Sequence, residues 1–106
     1  MKDYIERLQA AIRDLHGCES QYLETVPVTE MFQGQTVWQG DVEVFQIRGH
    51  PKAKRAYAWA HMAGTQDKET RYVAVLELPP VTSPQTAVRA AVMAEIKDAR
   101  EKEKSR

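Results

Sequence analysis

The side chains best suited to chemistry lie at four alternate positions: Arg55, Tyr57, Trp59 and His61. In a β-strand, alternate side chains project from one face, so these four would form a single stripe. An exposed stripe of this composition suits a protein interface, because Trp, Tyr and Arg are the residues on which binding energy concentrates. It also suits nucleic acid, whose bases stack on aromatic rings while cations hold the phosphates. A small-ligand site and an ordinary buried core are the two further interpretations.

A basic cluster of Arg48, Lys52 and Lys54 stands beside this stripe, and Trp38 on a neighbouring strand belongs to the same candidate binding surface. The cluster favours nucleic acid, because Lys and Arg neutralise phosphates. However, 15 Lys and Arg balance 15 Asp and Glu, giving a formal net charge of zero. Nucleic-acid-binding domains are usually strongly basic, so we place a protein interface ahead of nucleic acid.

His16 and Cys18, with His50 and His61 elsewhere in the chain, invite a metal interpretation. Zinc sites need three or four ligands, and structural ones usually have paired ligands at fixed spacings. The sequence contains one His-x-Cys step and neither CxxC nor HxxxH. We therefore expect no metal and no cofactor, and interpret Cys18 as a buried thiol.

Catalytic chemistry has little support. Cys18 would need an electropositive setting to act as a nucleophile, but Glu19 and Glu24 make this segment acidic. Asp41 and Glu43 could pair for acid–base work, yet a solvated strand face is the simpler interpretation. We assign no catalytic residue; whether the protein is an enzyme stays open, with the sequence favouring a non-enzyme.

Compartment follows from cysteine usage and hydropathy. A single cysteine cannot form an internal disulfide, and the charged N-terminal residues do not resemble a signal peptide. No apolar run approaches the ~20 residues needed to span a bilayer. We expect a cytoplasmic protein with no membrane segment.

The pattern predicts one domain over 1–106, of the α+β class, with the order α-β-β-β-β-α. The predicted elements are a helix over 3–16, strands over 22–33, 37–47, 51–63 and 71–78, and a helix from Ser83 onward with a charged, frayed end over 97–106. The 51–63 segment also fits a helix, but a hairpin with 71–78 favours a strand. Pro27 predicts that the first strand lies at an edge of the sheet or is bulged.

We expect a curved antiparallel sheet in two layers, with both helices on the face of Ala56, Ala58 and Ala60. The apolar face that carries Tyr57 and Trp59 would then be exposed, and exposed apolar faces mark interaction sites. The sequence thus predicts a small interaction module that forms a homodimer through this face or an edge strand. Nucleic-acid binding and a ligand or enzyme pocket between sheet and helices are the alternatives.

The helix–sheet–helix order with an Ala-rich final helix resembles the double-stranded RNA-binding domain in outline. That family has lysines at the start of its last helix, where this chain has Ser83-Pro84-Gln85-Thr86. No residue is assigned a role from this resemblance.

Overall fold

A computed structural model describes the backbone of residues 2–63 and 69–104 and the side chains of 3–60 and 71–94. The elements are α1 (Lys2–His16), β1 (Glu19–Phe32), β2 (Gln35–Arg48), β3 (Arg55–Ala63), β4 (Glu69–Leu76) and α2 (Pro84–Lys104). The predicted class and element order are confirmed, and the ambiguous third segment is a strand. No described helix is both long and apolar enough to cross a bilayer.

Local signals place the ends of these elements. Gly17 has φ +69° and donates its N–H to Arg13 at 2.8 Å, which ends α1 in a left-handed cap. Ser83 accepts the Thr86 N–H at 3.2 Å and so caps α2, with Pro84 as the first helical residue. Both ends agree with the prediction.

The four strands form an antiparallel meander in the order β1-β2-β3-β4. Gln33 and Gly34 both have positive φ and join β1 to β2 in a two-residue turn whose twist suits a long hairpin. Pro27 therefore lies on an edge strand, as predicted. In contrast, β2 pairs with β3 only between Glu43↔Ala58 and Gln46↔Arg55. The β1–β2 hairpin thus extends well past the point where its pairing with β3 ends.

Two register shifts interrupt the β1–β2 pairing, one at Leu23 and one at Val37. A bulge residue reverses the side-chain alternation beyond it. The sequence predicts Tyr22 and Val28 on one face, but Tyr22 contacts Phe45 on one side of the sheet, while Val28 belongs to the core on the other. The bulge at Leu23 explains this correction.

The two helices cover opposite faces of the sheet, so the protein has three layers rather than the expected two. The α1-side core consists of Leu8, Ile12, Cys18, Phe45, Ile47, Ala53, Ala56, Ala58 and Ala74. The α2-side core consists of Val28, Val42, Val44, Tyr57, Trp59, Val81, Ala87 and Val88. Ala56 and Ala58 therefore face α1, and the expectation that both helices pack on the alanine face is wrong for α2.

The helical spacing of Ile5, Leu8, Ile12 and Leu15 predicts that they form the inner stripe of α1, and Leu8 and Ile12 are indeed fully buried. Leu15, the last residue of that predicted stripe, is 60% exposed instead. The last turn directs His16 toward the sheet, where its Nε2 lies 2.9 Å from the Ala74 oxygen.

Candidate functional site

The structure buries the aromatic part of the predicted binding stripe. Tyr57 and Trp59 are each 2% exposed, because α2 packs over them through Ala87 and Val88. The expected exposed aromatic face is therefore wrong, since these two residues form core. Arg55 is exposed at the start of β3, and the side chain of His61 lies outside the described residues.

Trp38 is half-buried and joins the same core from β2. Its ring contacts that of Trp59 edge-on, with centroids 5.7 Å apart at 61°. Gly40 allows this position, because a Cβ there would lie 3.1 Å from Cη2 of Trp38. A glycine inside a strand predicts a bulge or a close backbone approach; the pairing at Gly40 is regular, and what lies close to its backbone is the Trp38 ring.

The Tyr57 hydroxyl donates its proton to the Glu77 carboxylate. Burial, and then the hydrogen bond to Glu77 and its charge, raise the pKa of Tyr57 well above its usual value of 10.0. The phenol is therefore a neutral donor at physiological pH and does not act as a base.

The histidines and Cys18 have structural contacts. Because a carbonyl can only accept, His16 donates from Nε2 to Ala74, while the Cys18 thiol lies 3.4 Å from the His16 oxygen. His50 accepts main-chain N–H groups of Lys52 and Ala53 at Nδ1, at 3.0 and 2.8 Å. Among the described residues, no group of three or more His, Cys, Asp or Glu could hold a metal.

The carboxylates Asp41 and Glu43 have different surroundings. Asp41 is exposed, whereas Glu43 is buried and accepts a hydrogen bond from the Thr25 hydroxyl, which also contacts the hydroxyl of Tyr22. Glu43 thus belongs to a short polar network within the sheet. Its burial was not expected from a position that reads as a solvated strand face.

The basic cluster lies at the end of β2 and on the connection to β3. The sequence predicts Lys52 and Lys54 within the 51–63 strand, but β3 begins only at Arg55. Arg48, Lys52 and Lys54 are exposed, and His50 holds this turn through its two main-chain bonds. The aromatic rings that would stack bases are buried away from it. The structure therefore separates the cations from the rings that the nucleic-acid interpretation had combined.

Both outermost strands of the sheet are obstructed at their free edges. On β1, Gln9 donates to the Ser20 oxygen at 3.0 Å, Gln85 donates to the Thr29 oxygen at 2.9 Å, and Pro27 between them has no N–H. On β4, the Ala74 oxygen accepts from His16. Covered or donor-free positions resist pairing with another chain, so these particular positions do not favour strand addition.

An apolar groove lies between the tip of the β1–β2 hairpin and α2. This tip groove has a volume of about 180 Å³ and is lined by Glu30, Met31, Phe32, Val37, Arg89, Val92 and Met93. Three of its side chains are large, apolar and exposed: Met31 at 52%, Val37 at 39% and Met93 at 46%. A smaller cavity of about 40 Å³ beside it reaches the Trp38–Trp59 pair.

The register shift at Val37 explains how the groove forms. Val37 is the extra residue of β2 between the pairs Glu30↔Trp38 and Met31↔Thr36. A bulge turns its side chain away from strict alternation. Val37 therefore shares the α2 side with its neighbour Trp38, and both line the smaller cavity.

An ion pair forms the polar wall of the tip groove. Glu30 is only 5% exposed, and its carboxylate accepts from Arg89 Nε at 2.9 Å and from Gln85 at 3.3 Å. The Arg89 side chain is 57% exposed, so its terminal nitrogens face solvent at the rim of the groove. An arginine held at Nε in this way keeps donors for a second carboxylate.

Sequence reasoning missed the tip groove. Met31 and Met93 are far apart in the chain, and the bulge at Val37 has no sequence signal apart from the nearby turn. Glu30 and Arg89 carry opposite charges, but their pairing depends on which face α2 covers.

Comparisons with protein-family models, with curated proteins and with solved structures gave no match.

Proposed function

We propose that this protein is an interaction module that binds a segment of another protein in the tip groove. The segment would place one large apolar side chain in the groove and a carboxylate on Arg89. The observation that carries this proposal is the convergence of Met31, Val37 and Met93, all exposed, on one concave site. Exposed apolar side chains that cluster mark interaction sites, and methionine adapts to varied partners.

The size of the groove supports a peptide side chain over a cofactor. Pockets for drug-sized ligands measure about 300–1,000 Å³, whereas the tip groove measures about 180 Å³. Seven residues line it, far fewer than the ~20–30 residues per partner in a stable protein interface. The groove alone is thus too small to hold a stable homodimer, and the predicted self-association would need another surface.

The charges around the groove set the chemistry of the partner. Glu30 is already bonded to Arg89 and Gln85, so the exposed guanidinium nitrogens give the rim a positive character. An Asp or Glu beside the apolar anchor would complement them. We place this activity in the cytoplasm as part of the proposal, since the single cysteine is buried and unpaired.

A random peptide library displayed on phage and selected against the intact protein tests this function. The selected peptides should share a large apolar residue beside an Asp or Glu. With a fluorescein-labelled peptide from the selection, Met93→Lys should weaken binding by at least about tenfold, or about 1.4 kcal/mol. Arg89→Gln should weaken binding of the peptide that carries Asp or Glu. It should leave binding of the same peptide with Asn or Gln at that position unchanged.

Leu15→Lys is the matched control, because Leu15 is an exposed apolar side chain that does not line the groove. It should leave peptide binding unchanged. Equal losses for Leu15→Lys and Met93→Lys, or a selection without a shared apolar and acidic pattern, would overturn the proposal.

Nucleic-acid binding is the second candidate, and the exposed cations on the β2–β3 turn favour it. The affinity for a labelled single-stranded oligonucleotide should then fall steeply with salt, because phosphate contacts release counterions. Replacing Lys52 and Lys54 by glutamine should flatten this dependence. Weak binding whose affinity depends neither on salt nor on these substitutions would exclude nucleic-acid binding as the function.

A further inference from the structure

We infer that the partner segment binds as an extended strand along an open edge of β2, through the main chain of Gln39 and Asp41. This inference rests on the proposed function, since it specifies the backbone conformation of the segment that occupies the tip groove. Strand addition supplies main-chain hydrogen bonds, while side-chain pockets supply selectivity.

The open edge exists because Tyr4 takes the place of β2. The β2–β3 pairing ends at Glu43↔Ala58, so its continuation would have placed Asp41 opposite Ala60. The N–H of Ala60 instead donates to the Tyr4 hydroxyl at 3.0 Å. The Tyr4 hydroxyl therefore satisfies the Ala60 N–H of β3. The main-chain groups of Asp41 on β2, which would have faced Ala60, have no strand partner.

The pairing with β1 shows which way the free groups point. In an antiparallel pair, the main-chain groups of opposite residues either bond each other or both point away. Thr29 is opposite Gln39, and its oxygen points outward to Gln85. Pro27, which has no N–H to give to β2, is opposite Asp41. Gln39 and Asp41 thus direct their N–H and C=O groups away from β1.

The N–H of Ile47 confirms this direction independently. It lies an even number of residues from Asp41, with no bulge between them, and donates to the Lys54 oxygen on the β3 side at 2.9 Å. The groups of Gln39 and Asp41 therefore also face the β3 side. Both residues are exposed, and no side chain among the described residues bonds their main chain.

Several positions on the outer strands differ from this open edge, because their outward groups are bonded or absent. The edge of β1 is blocked at Ser20, Pro27 and Thr29, and the Ala74 oxygen of β4 is bonded to His16. Along β2, the side-chain bond near the tip joins Thr36 to Met31 and leaves the main chain free. Within the described residues, the outward main-chain groups of Gln39 and Asp41 thus have no hydrogen-bond partner, and they lie next to the tip groove.

The surroundings favour a single segment over a second copy of this chain. β3 continues to Ala63 and pairs with β4 as far as Glu69, beside the open edge of β2. The edge of a second folded sheet would meet these strands, whereas one extended segment brings no sheet with it. The bulge residue Val37 connects the open edge to the tip groove, so the segment can anchor a side chain there.

N-methylated versions of the selected peptide test the inference on the intact protein. A strand directs every second N–H toward its neighbour, so methylating one set of alternate nitrogens should weaken binding by at least about tenfold. Methylating the intervening set should leave binding unchanged. If both sets bind equally, the inference is overturned while the tip groove retains its function; if the unmodified peptide does not bind, the proposed function itself fails.

A pair of variants on β2 supplies a second test. Gln39→Pro removes the outward N–H, which the β1–β2 pairing does not use, and should weaken the peptide at least several-fold. Gln39→Ala keeps that N–H and should bind as the wild type does. Equal binding by the two variants, when circular dichroism shows both to be folded, would contradict strand addition.

Discussion

The two sides of the sheet carry the same kinds of apolar residues, but these residues are buried to different extents. On the α1 side, Leu8, Ile12 and Phe45 are fully buried. On the α2 side, Val42 and Val88 are equally buried, yet Trp38 is half-buried and Met93 is exposed. The proposed function rests on this difference, because the incompletely covered end of the α2-side core leaves the tip groove open.

The largest predicted effect is a loss of stability that tests whether the α2 side of the sheet is a buried core. Trp59→Ala should lower the free energy of unfolding by about 3–5 kcal/mol, as should Phe45→Ala on the α1 side, because each leaves a cavity. Urea denaturation followed by circular dichroism measures both. A loss below about 1 kcal/mol for Trp59→Ala alone would show that α2 does not cover the aromatic face.

A smaller effect should appear at alkaline pH on the α2 side. The pKa of Tyr57 is raised in the folded protein above its usual 10.0, so the folded state holds this proton after the unfolded state has released it. Its stabilisation is complete below pH 10 and falls by about 1.4 kcal/mol for each pH unit above 10, up to the folded pKa.

Tyr57→Phe isolates this contribution. The pKa of Tyr4 is raised too, chiefly by burial, so the wild type loses stability through both phenols. The variant should show a shallower loss between pH 10 and pH 12 in thermal denaturation. Parallel curves for the two proteins would contradict the role of the buried Tyr57–Glu77 contact.

The smallest effect concerns the point where the β1–β2 hairpin separates from the β3–β4 hairpin, beyond the pair Glu43↔Ala58. Tyr4→Phe removes the acceptor of the Ala60 N–H and should lower the free energy of unfolding by about 1 kcal/mol. The amide of Ala60 should also exchange its hydrogen faster. An unchanged exchange rate would show that another group satisfies Ala60 and that Tyr4 does not hold the open edge of β2.

Much of the fold could be read from local sequence. Gly17, the Gln33-Gly34 turn and Ser83 mark the element ends, because each satisfies a backbone requirement that depends on a few neighbours. The two faces of β2 could also be sorted from its sequence, with Phe45 and Ile47 on one and Val42 and Val44 on the other, whereas the bulge at Leu23 defeated the same reasoning on β1. Period-two alternation is enough to establish this.

The pattern could not show which helix covers which face. Alternation on β3 places the alanines on one face and the aromatic residues on the other. It does not indicate which helix covers each face, and both faces are apolar enough to need a covering helix. A connection through Pro79 and Pro80 leads α2 to the side of Tyr57 and Trp59. The tip groove depends on that choice and on one bulge residue, so the candidate site was beyond local reasoning.

The position of α2 at the end of the element order has a consequence for synthesis. A ribosome makes the sheet before the helix that covers its aromatic side, so Tyr57, Trp59 and Val44 are unshielded on the growing chain until α2 emerges. Partly folded chains that expose apolar surface are prone to aggregate. A chain cut before Pro84 should therefore leave this face uncovered and aggregate more readily than the full chain.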